Sequence, residues 1–155
     1  MPTPYDALSH VPNACQVLPG LVTGGQPTAA DLQQFAEAGG GIVLDLRDPM
    51  EPRPFDEPEL ARRLGLDYVN VTVGAGTLTD ETLERIREVL RSAGDRPVFM
   101  HCASGNRVGG ALLPHLILDQ GLEEEDAVGQ AMRVGLRSAE LMDWGTDYAR
   151  RRQKP

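Results

Sequence analysis

The sequence predicts an α/β fold in which a central, mostly parallel sheet of four to five strands is flanked by helices. Short β-like runs alternate with helical patterns along the chain, as expected of strands joined by crossover helices. The length of 155 residues suits one domain, so residues 1–155 are expected to form a single unit with its core at about 14–150 and an N-terminal extension at 1–13. Hydrophobic residues make up 41% and charged residues 25%, which is ordinary globular usage.

Five short apolar runs bounded by turn residues are the predicted strands. The first two flank the turn at Pro19-Gly20, and the third is apolar enough to be buried on both faces of a sheet. The fifth is too short for a helix and follows the turn-like Gly94-Asp95. The predicted strands span 14–18, 21–23, 42–46, 68–73 and 97–100.

Capping residues and helical periodicity predict the helices. Thr28 with Asp31 has the capping-box spacing, and Thr79 can cap a helix that carries apolar residues on one face. The run 111–118 is apolar nearly all round, as expected of a buried helix, and Pro114 within it should kink it or shift its start. The remaining predicted helices span 59–64, 123–134 and 138–151.

Charge and composition exclude several classes of protein. The formal net charge of -8 disfavours nucleic-acid binding, and the basic run at 150–154 is typical of a solvated helix end. Cys15 and Cys102 are too few for a disulfide framework, so a reducing cytoplasm is the expected compartment. The N-terminus has no secretory pattern, and no apolar run is long enough to span a membrane. The three histidines lack metal-ligand spacing, so we expect neither a metal nor a cofactor.

The segment 101–110 carries the chemistry. It places Cys102 on a loop between a buried strand and a helix N-terminus, where backbone N–H groups and the helix dipole stabilise a thiolate. Arg107 adds a permanent cation with a fork suited to a tetrahedral oxyanion, and Gly105 can take the positive φ that turns N–H groups inward. His101 should face away from the nucleophile and support the loop through a hydrogen bond.

A His-Cys pair followed by a Gly-containing loop and an Arg resembles the signature of the protein tyrosine and dual-specificity phosphatase superfamily. The flanking segments 24–28, 41–47 and 71–80 resemble the bacterial beta-lactamase-hydrolase-associated phosphatase-like family, whose members are also described as sulfurtransferases. The resemblance spans roughly 14–135. It implies a phosphatase-like three-layer fold and a cysteinyl-phosphate intermediate on Cys102. The implied substrate-binding residues are Ala103, Ser104, Gly105, Asn106 and Val108, with Arg107 as a catalytic residue.

This sequence departs from the phosphatase pattern at three places. Four residues separate Cys102 from Arg107, where the superfamily has five, so the ring of donors is one N–H shorter. Val108 stands where a Ser or Thr helps to release the thiolate. No carboxylate occupies 74–76, where the general acid is expected, so Asp80 is the candidate acid, although its position at a helix start also suits a capping role. Asp48 and Asp56 could also reach the site.

Three hypotheses therefore stay open at this stage. The first is a slow cysteine-dependent phosphatase acting on a phosphate-bearing or other small oxyanion substrate. The second is a sulfane-sulfur transferase with a Cys102 persulfide, which needs fewer donors and no acid. The third is a catalytically idle module that binds an anion or a partner. Retention of both Cys102 and Arg107 favours the first two.

Overall fold

The computed structural model describes residues 2–153 and has a five-stranded sheet with helices on both faces. The strands are β1 (Cys15–Leu18), β2 (Leu21–Gly24), β3 (Ile42–Asp45), β4 (Asp67–Asn70) and β5 (Val98–His101). The helices are α1 (Pro4–Ala7), α2 (Ala29–Glu37), α3 (Glu57–Arg63), α4 (Asp80–Ser92), α5 (Asn106–Pro114), α6 (Glu124–Val134) and α7 (Ala139–Gln153). None of the helices within 2–153 is long and apolar enough to cross a membrane.

The sheet has the order β1-β2-β5-β3-β4, and β5 lies at its centre. Only the β1–β2 pair is antiparallel, while β5 runs parallel to both β2 and β3. The carboxyl ends of the four parallel strands β2, β5, β3 and β4 therefore meet at one edge, where ligand sites of open α/β sheets commonly form. The predicted α/β class and mostly parallel sheet are confirmed.

Two apolar clusters cover the two faces of the sheet. Alternate residues of β5 divide between them, because Val98 and Met100 join the larger cluster and Phe99 joins the smaller one. Helices α4 to α7 supply the larger cluster, and α2 and α3 pack on the other face with the N-terminal segment. Cys102 belongs to the larger cluster, so its side chain and the His101 ring leave the end of β5 toward opposite faces.

The structure differs from the sequence-based expectations at three elements. Strand β4 ends at Asn70, and the extended Val71–Val73 segment follows it outside the regular strand. Helix α5 begins at Asn106 rather than beyond the glycines, and the backbone after Pro114 continues as a π-helical turn over His115–Asp119. The segment expected as an extension contributes buried Leu8 and Val11 to the smaller cluster.

Candidate active site

Strand β5 delivers Cys102 to the carboxyl edge of the sheet between β2 and β3. The Cys102 backbone N–H donates to the Gly24 carbonyl, and the Ala103 carbonyl accepts from the Gln26 N–H at 3.0 Å. Gly25 permits this approach, because a Cβ there would lie 2.4 Å from the Ala103 carbonyl oxygen. Residues 102–105 form the Cys102 loop, and α5 begins directly after it.

The Cys102 side chain is fully buried and accepts a hydrogen bond from a backbone N–H of its own loop. The Gly105 N–H lies 3.0 Å from Cys102 Sγ. Gly105 has φ +104°, and a Cβ at this position would lie 2.5 Å from the Val134 carbonyl oxygen. Glycine is therefore required both for the backbone conformation and for the contact with the end of α6.

The N-terminus of α5 adds further donors beside the sulfur. Asn106, Arg107 and Val108 are the first three residues of the helix, so their N–H groups have no carbonyl partner one turn back. These groups and the helix dipole favour an anion at the loop. The loop and the first turn of α5 together form a cradle of N–H groups around the Cys102 sulfur that suits an anion.

Arg107 is held over this cradle by a carboxylate from another loop. Its two terminal nitrogens lie 2.7 and 3.1 Å from the Glu51 carboxylate oxygens. The Arg107 guanidinium holds the pKa of Glu51 at about 2, against an ordinary value of 4.5. The pKa of Arg107 is raised, first by the Glu51 hydrogen bond and also by the nearby Cys102 sulfur, although burial opposes the increase. Glu51 leaves the Arg107 Nε–H unused, so that edge of the guanidinium can meet an oxyanion.

Glu51 also connects Arg107 to a chain of polar side chains behind the loop. Its carboxylate accepts from Arg47 Nε at 3.3 Å, and Arg47 donates through Nη1 to the Gln26 amide oxygen. Gln26 Nε2 in turn donates to Glu57 at 3.1 Å. The chain of hydrogen bonds thus links Arg107 to Glu57, the first residue of α3, through Glu51 in the loop between β3 and α3.

His101 completes this chain from the side opposite to Cys102. Its Nε2 lies 2.5 Å from the Glu57 carboxylate, and its Nδ1 lies 3.2 Å from the Cys102 carbonyl oxygen. Both ring nitrogens face acceptors, and the ring stacks on Phe99 at a centroid distance of 5.1 Å. The position of His101 is thus one of loop support rather than of contact with substrate.

A second buried carboxylate, Asp45, lies beside this pair. Arg53 contacts it at 2.7 Å, the Tyr68 hydroxyl donates to it at 2.6 Å, and burial followed by this hydrogen bond raises the pKa of Tyr68. Three potential metal-ligating atoms lie within 4.8 Å of one another here, one each from Asp45, Glu57 and His101. Glu57 and His101 are hydrogen-bonded to each other, and Asp45 is bound by Arg53 and Tyr68. The arrangement therefore suits a structural network better than a cation site.

The residues expected to bind substrate fall into two groups. Ala103 and Ser104 are exposed at the loop, where their backbone is available to an anion. The Asn106 side chain instead accepts from the Arg137 N–H at 2.8 Å and from the Ser138 N–H at 3.2 Å, which ties the loop to the α6–α7 connection. Val108 is fully buried in the core, so only its backbone can contribute.

The carboxylates considered as general acids are engaged elsewhere. Both Asp80 oxygens lie 2.7 Å from the Arg151 guanidinium, which lowers the pKa of Asp80 and leaves it a poor proton donor. Asp56 caps α3 through the Glu59 N–H, and Asp48 accepts from the Met50 N–H. This geometry opposes the expected acid role of Asp80, because its carboxylate is committed to an ion pair with α7.

Sequence reasoning missed three residues that surround the loop. Glu51 and Glu57 lie in the Pro-rich segment between the predicted strand 42–46 and the predicted helix 59–64, and Asn13 lies in the expected extension. Asn13 Nδ2 donates to the Ser104 carbonyl at 2.7 Å. The position of Cys102 before a helix N-terminus, together with Arg107, predicted an anion cradle, but it held no information about which distant carboxylate would pair with Arg107.

Comparison with known proteins agrees with this geometry. The family model described as a DSP-PTPase phosphatase fused to NAD+ kinase matches residues 16–141. The beta-lactamase hydrolase-like protein of Agrobacterium fabrum is 29% identical over 91 residues, which cover 56% of this chain and 21% of that protein. The chain thus spans about a fifth of the length of this curated relative.

Two solved structures share the fold. A DUF442 phosphatase from Shewanella putrefaciens CN-32 superposes with a TM-score of 0.79 at 21% identity, covering 94% of this chain and 97% of that chain. TpbA of P. aeruginosa has a TM-score of 0.69 at 19% identity, covering 89% and 83%. The predicted phosphatase-like fold is confirmed, and the family match includes both Cys102 and Arg107. The chain belongs to the PTP-NADK family of dual-specificity protein tyrosine phosphatase domains.

Proposed function

We propose that the protein hydrolyses phosphomonoesters through a cysteinyl-phosphate intermediate on Cys102. The observation that carries this proposal is the buried Cys102 Sγ, which accepts from the Gly105 N–H at the N-terminus of α5 with the Arg107 guanidinium beside it. A thiolate nucleophile within a ring of oxyanion donors is the arrangement that phosphoryl transfer requires. Membership of a phosphatase family favours this reaction over sulfur transfer and over an idle binding module.

The reaction has two displacements at phosphorus. The Cys102 thiolate forms an S–P bond as the P–O bond to the leaving group breaks, and the leaving alkoxide or phenoxide takes a proton from water. Water then attacks the phosphorus, the S–P bond breaks, inorganic phosphate leaves and the thiolate is restored. Arg107 and the N–H groups of the loop hold the three non-bridging oxygens in both steps.

Two features support a slow enzyme that prefers good leaving groups. The carboxylates considered as general acids, on Asp48, Asp56 and Asp80, accept hydrogen bonds from other groups, so leaving-group protonation lacks a placed acid worth about 10²- to 10⁴-fold. Val108 gives no hydroxyl for release of the thiolate from the intermediate. Aryl phosphates, whose leaving groups need little protonation, are therefore the substrate class that suits the site. A solved TpbA variant in complex with phosphotyrosine supports the same class by analogy.

The location that we propose is the cytoplasm, because the reaction needs a reduced Cys102. Cys15 and Cys102 are both free thiols in the structure. A reducing compartment keeps such a nucleophile available.

The test is p-nitrophenyl phosphate hydrolysis by purified protein, with Cys102→Ser as the matched control. We expect phosphate release by the wild type and release at the rate without enzyme for Cys102→Ser. In a parallel assay of sulfur transfer from thiosulfate to cyanide, we expect no Cys102-dependent thiocyanate. Thiocyanate formation without phosphate release would contradict the proposal and favour the sulfurtransferase.

Arg107→Lys tests the oxyanion contact separately. Lysine keeps the charge but loses the fork that meets Glu51 and an oxyanion at once. We expect a fall in kcat/KM of at least about 30-fold, corresponding to roughly 2 kcal/mol of lost charge-assisted hydrogen bonding. Equal kcat/KM values in the wild type and in Arg107→Lys would contradict the proposed contact between the Arg107 guanidinium and the oxyanion.

A further inference from the structure

Asn13 has a left-handed backbone conformation at the edge of the Cys102 loop. Among residues 2–153 it is the one non-glycine residue with positive φ, at +56°. The Ala14 N–H donates to the Val11 carbonyl at 3.1 Å, so Val11–Ala14 is a β-turn with Pro12 and Asn13 at its centre. Proline followed by asparagine with positive φ is the pattern of a type II turn. The Pro12 carbonyl accepts from the Gly25 N–H at 2.8 Å, which fixes this turn to the end of β2.

The Asn13 side chain holds one particular peptide group of the loop. Its Nδ2 donates to the Ser104 carbonyl oxygen at 2.7 Å, while the N–H of the same peptide, on Gly105, points to Cys102 Sγ at 3.0 Å. The carbonyl and the N–H of a trans peptide point in opposite directions. A contact that keeps the Ser104 carbonyl outward therefore keeps the Gly105 N–H inward, on the sulfur.

This peptide needs an external contact because Gly105 allows more than one orientation. Glycine adopts positive and negative φ with similar ease, so rotation of the peptide meets little intrinsic resistance. A rotated peptide would turn the Ser104 carbonyl oxygen toward the thiolate and toward any bound oxyanion. That orientation replaces an attractive dipole by a repulsive one at the reacting atom.

We propose that Asn13 is a positioning residue that locks the Ser104–Gly105 peptide in the orientation needed by the Cys102 thiolate and its oxyanion. Its influence on turnover rests on the phosphatase function proposed above. Its influence on the thiolate does not, because the Gly105 N–H contacts the sulfur whatever reaction follows. The segment ahead of β1 is thus part of the active site.

Two variants separate the side chain of Asn13 from its backbone. Asn13→Gly keeps the left-handed turn but removes the donor, and Asn13→Asp keeps the shape but presents only acceptors to the Ser104 carbonyl. Ser9→Ala, which alters an exposed hydroxyl bonded to the Asp6 carbonyl in the same segment, is the matched control. Each protein is compared with the wild type in thermal unfolding, p-nitrophenyl phosphate turnover and Cys102 alkylation by iodoacetamide across pH.

We expect Asn13→Gly to stay folded, with a melting temperature lowered by only a few degrees, while kcat falls about three- to tenfold, the factor for one lost hydrogen bond of about 1 kcal/mol. The pH at which alkylation becomes half-maximal should rise in both Asn13 variants and stay unchanged in Ser9→Ala. Wild-type kcat and an unchanged alkylation profile in Asn13→Gly would overturn the assignment. If the wild type releases no phosphate, the proposed function fails, and the alkylation profiles still decide the role of Asn13.

Discussion

Substitution of Glu51 by glutamine tests how the anion cradle is built. Glu51 accepts from both terminal nitrogens of Arg107, from Arg47 Nε and from the Asp48 N–H at 2.7 Å. Glutamine keeps the volume and one acceptor oxygen, but it loses the charge and turns an NH₂ group toward cations. Arg107 then lacks the contact that holds its guanidinium beside the Cys102 sulfur.

The expected loss follows from the contacts of this carboxylate. Hydrogen bonds to charged groups contribute about 1.5–3 kcal/mol each. The Glu51 side chain is 28% exposed, so water replaces part of the lost hydrogen-bond energy in the variant. The contacts also share one carboxylate, so their contributions are not additive. We therefore take about 2 kcal/mol for the placement of Arg107, which corresponds to a fall of about 30-fold in kcat/KM.

The pH dependence has a defined direction. Arg107 lowers the pKa of Glu51 to about 2, so the carboxylate is ionised throughout the neutral range. The stability that this contact contributes to the fold is complete above the ordinary pKa of 4.5 and is lost as pH falls toward about 2. The activity of the folded protein depends on the pKa of Glu51 in the folded state, so the ratio of wild-type to Glu51→Gln activity should be constant above about pH 3 and shrink only as pH approaches 2.

The assay is the kcat/KM of p-nitrophenyl phosphate hydrolysis across this pH range. Glu59→Gln is the matched control, because Glu59 is an exposed carboxylate that pairs with Arg62 in its own helix. Activity of Glu51→Gln within about threefold of the wild type would refute the positioning role. An increase would mean that Glu51 competes with substrate for Arg107.

Three further tests, the last with its own control variant, give independent outcomes. Asp80→Asn should leave kcat and the pH–rate profile unchanged, and a loss of about 100-fold or more would restore Asp80 as the general acid. Glu57→Ala should lower the free energy of unfolding in urea by about 3 kcal/mol or more, because it leaves the buried His101 without its partner, and a loss under about 1 kcal/mol would contradict that pairing. Gly105→Ala should abolish turnover, whereas Gly129→Ala in α6, where an added Cβ meets nothing within 4 Å, should be neutral or stabilising. Equal activity of these two glycine variants would contradict the loop geometry.

The sequence predicted the features that depend on local pattern. The capping-box pair at Thr28 and Asp31 is present in the structure, and the run 97–100 is the core of β5 at the centre of the sheet. The location of Cys102 between a strand and a helix was also enough to predict it as a nucleophile. A strand–loop–helix connection directs the N–H groups of the helix N-terminus toward the loop, where they favour a negative charge. Such local signals lie within about ten residues of the group that they position.

The contacts that complete the site could not be read from local pattern. Glu51 meets Arg107 across 56 positions in the chain, and Asn13 meets Ser104 across 91. Both come from segments without periodicity, so only the packing of the sheet edge brings them to the loop. Asp80 was selected because it is near the expected acid position in the sequence. That proximity did not reveal the ion pair between its carboxylate and Arg151, 71 positions away.

Direct detection of the intermediate tests the central claim most sharply. Protein mixed with p-nitrophenyl phosphate is quenched in acid within the first turnover, digested and measured by mass spectrometry. The absence of a hydroxyl at Val108 should slow breakdown of the intermediate, so we expect one phosphoryl group on the peptide that contains Cys102 and none in Cys102→Ser. Sustained phosphate release with no phosphoryl group on Cys102, or a sulfane sulfur there after thiosulfate treatment together with an absence of phosphoryl transfer, would contradict the account.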